Sequence, residues 1–306
     1  MQPYLNMGKL KGAKKERIWE LDFIRGLCVL LMIFDHFMYD LADIFGKAWY
    51  QAALEGGWAS QDFFYNLWQS ARAYYFGSTT STFWGIVSTG SEIRAFVEPM
   101  VVVIFAIVCG ISCSFSKSNL KRGIELGVLA LLITGVTRLL GEEMMITFGV
   151  FHLFTVAILL WCLIDFICHH DKIKTAFACG IIGVAIIVIN QCLVAIWLQD
   201  HNAFSDTSNG FFLGYFMVGK NSIPSADYQP IFPYVGWMLI GAALGPTLYM
   251  RKKSLIPPLG KVDWYAPINF WGKYAMWVYV THQVVIGAIL GLISAIFITP
   301  GNFIIV

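Results

Sequence analysis

Charge is what this sequence has least of. Only 13% of its 306 residues are Asp, Glu, Lys or Arg, and 58% are hydrophobic. A soluble domain carries about 25% charged and 45–50% apolar residues. With a mean hydropathy of +0.66, that scarcity excludes an ordinary soluble domain and points to an integral membrane protein. Cysteine spacing of the disulfide or metal-binding kind is also missing. The seven cysteines (28, 109, 113, 162, 168, 179 and 192) lie almost entirely in apolar runs. Their number is odd, so neither a disulfide framework nor a metal site is expected. Cys109 and Cys113, one helical turn apart, read as small packing residues. No internal repeat is visible, which weighs against transporters built from repeated halves. No cleavable signal peptide is expected either, because the first apolar run is too long and too ionic for one.

Long apolar runs are abundant. They cover roughly 21–41, 95–115, 123–140, 146–166, 175–198, 232–250 and 270–298. The expectation is an all-α integral membrane protein, a polytopic bundle of about seven transmembrane helices. The 24 Phe, 13 Tyr and 11 Trp suit packed apolar helices and interfacial belts. Lys and Arg concentrate in the first 17 residues, then at 117, 121, 122, 172, 174, 251, 252, 253 and 261. By the positive-inside rule the N-terminus is cytoplasmic and the C-terminus outside. The organisation expected is a basic cytoplasmic tail 1–17, one membrane domain 18–300 with long outer loops 46–94 and 199–229, and a short outer tail 301–306. Within the first loop, Phe63 to Phe76 reads as a helix along the interface.

The first span, WELDFIRGLCVLLMIFDHFMYDLADIF, is apolar enough to cross yet holds Asp22, Arg25, Asp35, His36, Asp40 and Asp43. A charge at bilayer depth costs about 2.5–3.5 kcal/mol on insertion scales, so such groups face a bundle interior and mark a functional path. Arg25 and His36 are eleven residues apart, about three turns and roughly 16 Å on one face. A cation therefore points to the inner surface and an imidazole to the outer. Asp40, one turn beyond His36, either orients its ring or merely meets the interface. Asp35 points about 100° away from it. Asp22 and Arg25 form a surface ion pair, or Arg25 receives an anionic ligand from the cytoplasm.

Three of the six His, namely His36, His152 and His282, fall inside spans, about 8, 9 and 12 Å from their outer ends. Three imidazoles in one outer layer favour a shared site over separate interhelical hydrogen bonds. Tyr279 shares a face with His282. The outer stretch ADYQPIFPYVGW, with Asp227 and Tyr228, either stacks on a sugar ring or anchors the sixth span at the interface. Arg138 with Glu142, Glu98 and Glu125 either line a cavity or pair structurally.

Four ordered pieces carry a resemblance: ELDFIRGLCVLLMIFDHFMYDL, VCGISCSFSKSNLKRG, FGVFHLF, and DYQPIFPYVGWMLIGAALG leading to FWGKYAMWVYVTHQ. Together they resemble the bacterial branch of the heparan-alpha-glucosaminide N-acetyltransferase catalytic-domain family. The first piece is also similar to membrane acyltransferases that O-acylate bacterial polysaccharides. The resemblance implies transfer of an acetyl group from cytoplasmic acetyl-coenzyme A to an extracytoplasmic sugar amine or hydroxyl, in a multi-pass protein of the bacterial cytoplasmic membrane. His36 is then the general base or acyl carrier, oriented by Asp40, with His152 and His282 lining the same cavity and His282 or Tyr279 donating to the oxyanion. Arg25, with Asp22 and Arg122, lies on the donor side, and Asp227, Tyr228, Tyr279 and Arg138 on the acceptor side. The expected partners are a carbohydrate acceptor and membrane lipid, with a homodimer allowed and no nucleic acid or metal. In animal members of that family the position matching His36 is usually Asn and the proposed catalytic His lies farther along. Here no His occupies the outer stretch after Asp43, so specificity for glucosamine does not carry over. The readings kept beside the enzyme are a proton-coupled transporter and a catalytically inactive scaffold.

Overall fold

A computed structural model describes residues 17–83, 86–116, 118–142, 144–199, 225–250, 253–256 and 264–298. The expected tail up to residue 16, most of the loop 199–229, the outer tail 301–306 and the cations at 117, 251, 252 and 261 lie outside the described residues. The helices follow the apolar runs. Helix α1 is Trp19–Tyr39, continued by a π-helical turn Asp40–Phe45. Then come α2 Gly46–Glu55, α3 Gln61–Tyr75, α4 Glu92–Cys113, α5 Asn119–Leu140, α6 Val150–Ile167 and α7 Lys172–Gln199. The last three are α8 Tyr234–Leu248, α9 Ala266–Lys273 and α10 Ala275–Ile293, which ends in a second π-helical turn to Ile298. Among the described residues, α4, α6, α7 and α10 are long and apolar enough to cross a membrane, and α8 is a shorter apolar helix.

Two stretches differ from the expectation. The connection 46–94 is ordered: it holds α2, α3 and a hairpin of β1 Thr79–Phe83 against β2 Ile86–Gly90. The helix expected from Phe63 to Phe76 is there as α3, although its Gly-, Ser- and Thr-rich flank hid the hairpin. The last apolar run is not one helix. It breaks at Tyr274 between α9 and α10, so the short α9 packs on the N-terminal part of α1.

The core forms around α8. Tyr234, Val235, Met238 and Leu239 are all but sealed from solvent and pack against α4, α6 and α7. Close approach is possible because small residues face each other: Gly110 of α4 lies on the Met238 carbonyl, and Gly241 of α8 on the Ile107 carbonyl. Small residues at such crossings are the usual solution in membranes, where packing rather than water exclusion holds helices together. We expect Gly241→Leu to destabilise the fold by about 1–3 kcal/mol or more, as overpacking does, seen as a lower melting temperature of the purified protein in detergent. The outward faces of α5 and α7 are apolar instead, with Leu139 at 87% and Phe177 at 71% exposed, as lipid contact requires.

On the α3 side, Asp35 receives the Arg94 guanidinium at 2.9 Å and the Tyr74 hydroxyl at 3.2 Å. This ties α1 to α3 and α4. Asp35 is thus consumed structurally, in keeping with its position off the His36 face. Glu98 accepts from Ser88 at 2.9 Å and from Gln229 at 3.4 Å, fastening the hairpin and the segment before α8 to α4.

Candidate functional site

A cavity of about 900 Å³ opens between α1, α4, α5, α6 and α10, near the upper end of the usual range for ligand pockets. Its polar wall comes from chain ends that meet at one side of the bundle. The cations Arg17, Arg25, Arg122 and Lys273 outnumber the carboxylates Asp22 and Glu125. Asp22 sits between two of them, taking Arg17 at 2.7 and 2.9 Å and Arg25 at 2.6 Å. Arg25 also reaches Ser112 of α4 at 2.9 Å. Asp22 and Arg25 therefore do form the ion pair, and it lines the cavity as well. Gly272 of α9 rests directly on the Asp22 carbonyl, and Gly26 on the Ile268 carbonyl, so α9 brings Lys273 to this wall. Arg122 touches Asn119 at 3.2 Å, which leaves most of its donors uncommitted. One anionic group could thus meet several donors that are already positioned.

Farther along the same helices two imidazoles meet. The rings of His36 on α1 and His282 on α10 are 4.8 Å apart and nearly perpendicular. Each spends its Nδ1 on a carbonyl of its own helix: His36 on Met32 at 3.0 Å, His282 on Tyr279 at 2.6 Å. A carbonyl only accepts, so in the neutral rings Nδ1 carries the proton and each Nε2 presents a lone pair. The Nε2 of His282 is fully buried and has no hydrogen-bond partner among the described residues. Leaving such an atom unsatisfied costs about 1–3 kcal/mol, a cost that folded proteins accept mainly at functional sites.

The other predicted residues divide clearly. Asp40 is not hydrogen-bonded to His36. Its buried carboxylate accepts both bonds from Gln283 of α10, at 2.8 and 3.1 Å. The physical reason is local: the Met32 carbonyl on the same helix already satisfies the one Nδ1 donor of His36. His152 is not paired with the other two imidazoles. Its Nδ1 accepts the Gly149 amide at 3.2 Å, and its Nε2 meets Thr134 at 3.1 Å, whose hydroxyl donates to Ile146. Both nitrogens are used, capping α6 and binding it to α5. Arg138 is exposed near the end of α5 and is not part of the cavity wall, and it forms no ion pair with Glu142.

Tyr279 lines the cavity, and its hydroxyl donates to Asp227. Asp227 is carried on the segment before α8, held by the Ala226 amide on the Met145 carbonyl at 3.0 Å. Its field reaches His282 and His152. Tyr228, next in the chain, is half-buried, and burial pushes its phenol above the usual range. Sequence reasoning did not assign Arg17 or Lys273 to the cavity. Arg17 was counted with the tail, and Lys273 lies inside FWGKYAMWVYVTHQ without any sign of the turn that brings it back to Asp22. Among the described residues no group of three or more His, Cys, Asp or Glu is placed to hold a metal ion.

Residues 17–66 and 74–284 match the family described as heparan-alpha-glucosaminide N-acetyltransferase, catalytic. The match takes in Arg25 of α1, Arg122 of α5, both facing histidines and the Asp227 segment. The comparisons with curated proteins and with solved structures returned no match. A family match over most of the chain, together with four helices able to cross a membrane, makes this a multi-pass membrane protein of an acyltransferase family: the chain belongs to the heparan-alpha-glucosaminide N-acetyltransferase catalytic-domain family.

Proposed function

We propose that this protein is a transmembrane acetyltransferase of a bacterial cytoplasmic membrane that moves an acetyl group from acetyl-coenzyme A to an extracytoplasmic sugar amine or hydroxyl. The observation that carries the reading is the polarity of the site. A cationic cavity lies at one end of α1 and a pair of imidazoles with free lone pairs at the other, eleven residues farther on. The chain would cross seven times, through α1, α4, α5, α6, α7, α8 and α10, with its N-terminus in the cytoplasm. Lys and Arg near the inner ends of these helices support that orientation. Carbohydrate and lipid would be its partners, and a homodimer is compatible with the extensive apolar surface.

Arg17, Arg25, Arg122 and Lys273 fit a donor rich in phosphates, because guanidinium and ammonium groups favour such anions. The donor supplies a thioester carbon open to attack. His36 is half-buried, whereas the His282 Nε2 is sealed, so His36 is the base an acceptor can reach. Its Nε2 takes the proton from the acceptor O–H or N–H while that heteroatom bonds to the acyl carbon. The carbon–sulfur bond breaks and the thiolate leaves, later taking up a proton. The bond from Nδ1 to the Met32 carbonyl steadies the imidazolium that forms.

The direct test uses purified protein in sealed vesicles with labelled acetyl-coenzyme A on one side and a panel of amino sugars and oligosaccharides on the other. Label is expected to appear on a sugar across the membrane. Absence of both thioester binding and consumption with every acceptor would sink the proposal. Uptake of a solute driven by a pH gradient, without transfer, would replace it with transport.

A further inference from the structure

Tyr279 stands where the cavity and the histidine pair meet. Tyr279 forms part of the cavity wall, as does Phe151, which meets its ring edge-on at 4.8 Å. The same ring packs against His282, with ring centres 5.5 Å apart. The Tyr279 carbonyl also takes the His282 Nδ1 proton. Neither His36 nor His282 is part of the cavity wall. The polar tether on the phenol is Asp227, reached from a different part of the chain. A group entering the cavity from the Arg25 side therefore meets the Tyr279 ring before it meets an imidazole.

We propose that Tyr279, held by Asp227, is a latch that separates the donor cavity from His36 and His282 until an acceptor arrives. The inference rests on the acetyl-transfer reading and adds a control step to it. An acceptor offering an O–H or N–H to Asp227 takes the place of the tyrosine hydroxyl. The freed ring then turns aside, and the passage to the imidazoles opens only when an acceptor is there to use it. Such a device protects the thioester from water. With the latch open and no acceptor, water activated by His36 would bond to the acyl carbon, the carbon–sulfur bond would break, and acetate and free thiol would be lost. Asp227 also sets the kind of acceptor: a hydrogen-bond donor is welcomed there and an anionic group is repelled.

Two variants cut the tether from opposite ends: Tyr279→Phe, which keeps the ring, and Asp227→Ala. The first measurement needs neither donor nor acceptor. The full-length protein in detergent is treated with diethylpyrocarbonate, and modification of His282 is followed by peptide mass spectrometry. His152, with both nitrogens engaged, serves as the internal reference. His282 is expected to react at least threefold faster in both variants than in the wild type, with the His152 rate unchanged. Equal His282 rates in all three proteins, at unchanged gel-filtration profile, overturn the latch. The second measurement is release of free thiol from acetyl-coenzyme A in vesicles with no acceptor present. It is expected to rise at least fivefold in both variants, and no rise overturns the restraint on hydrolysis. If none of the three proteins binds acetyl-coenzyme A, the transfer reading has failed, and the labelling result alone then decides whether Tyr279 shields His282.

Discussion

Transfer by the His36→Ala variant is expected to fall by about 10²–10⁴-fold, the usual worth of a positioned general base, while the affinity for acetyl-coenzyme A stays within a factor of about two. The separation follows from the geometry. Arg25 and His36 lie on one continuous helix, about 16 Å apart at 1.5 Å per residue, and His36 is no part of the cavity wall. Removing the imidazole therefore leaves the cationic wall untouched. His282→Ala is expected to reduce turnover less severely, because its Nε2 is sealed and acts beside His36 rather than on the acceptor. His152→Ala should act on stability instead. It orphans the buried Gly149 amide, at about 1–3 kcal/mol, and takes one partner from the Thr134 hydroxyl, which keeps its bond to Ile146, so it lowers the melting temperature more than the turnover. The measurements are steady-state transfer, equilibrium donor binding and thermal unfolding of each variant. Intact transfer in His36→Ala together with its loss in His152→Ala or His282→Ala would show that the wrong imidazole was chosen as base.

The second large effect is expected at the other end of the site. Arg122→Ala should raise KM for acetyl-coenzyme A by about tenfold or more with little change in kcat. A charge-assisted hydrogen bond is worth about 1.5–3 kcal/mol, and each 1.4 kcal/mol is a factor of ten in affinity. Arg122 is the better probe than Arg25, because among the described residues its side chain holds a single 3.2 Å bond, to Asn119. Removing Arg25 also takes a partner from Asp22 and a bond from Ser112, although Arg17 would still hold Asp22 by two bonds. Arg25→Ala is thus expected to combine a raised KM with a loss of stability. Raising the salt concentration should weaken donor binding in the wild type more than in Arg122→Ala, since one screened attraction is already gone. An unchanged KM in Arg122→Ala would remove the phosphate-binding role from this wall.

The two ends of the site were legible in different degrees. Hydropathy placed the helices within a few residues, as α7 at Lys172–Gln199 against an expected 175–198, because burial in lipid or protein demands long apolar runs whatever the partner helix. Helical periodicity put Arg25 and His36 on one stripe, and the ordered motifs pointed to the family that the profile of the chain matches. These properties are local, or they are one-dimensional patterns, and the sequence by itself determines them. It cannot say which of several polar groups on different helices finds which partner. Asp40, read as either orienting His36 or meeting the interface, instead binds Gln283, 243 residues away in sequence. The three imidazoles predicted in one layer resolved into a facing pair and a cap, because α6 starts beside Thr134 of α5 and the hydrogen bonds made there consume both nitrogens of His152. The break at Tyr274, which lays α9 on α1 and brings Lys273 to the cavity, likewise depends on Gly26 and Gly272 meeting carbonyls across the interface. Tertiary packing alone decided these pairings, because a buried donor or acceptor takes whichever partner the helix crossings bring within about 3 Å.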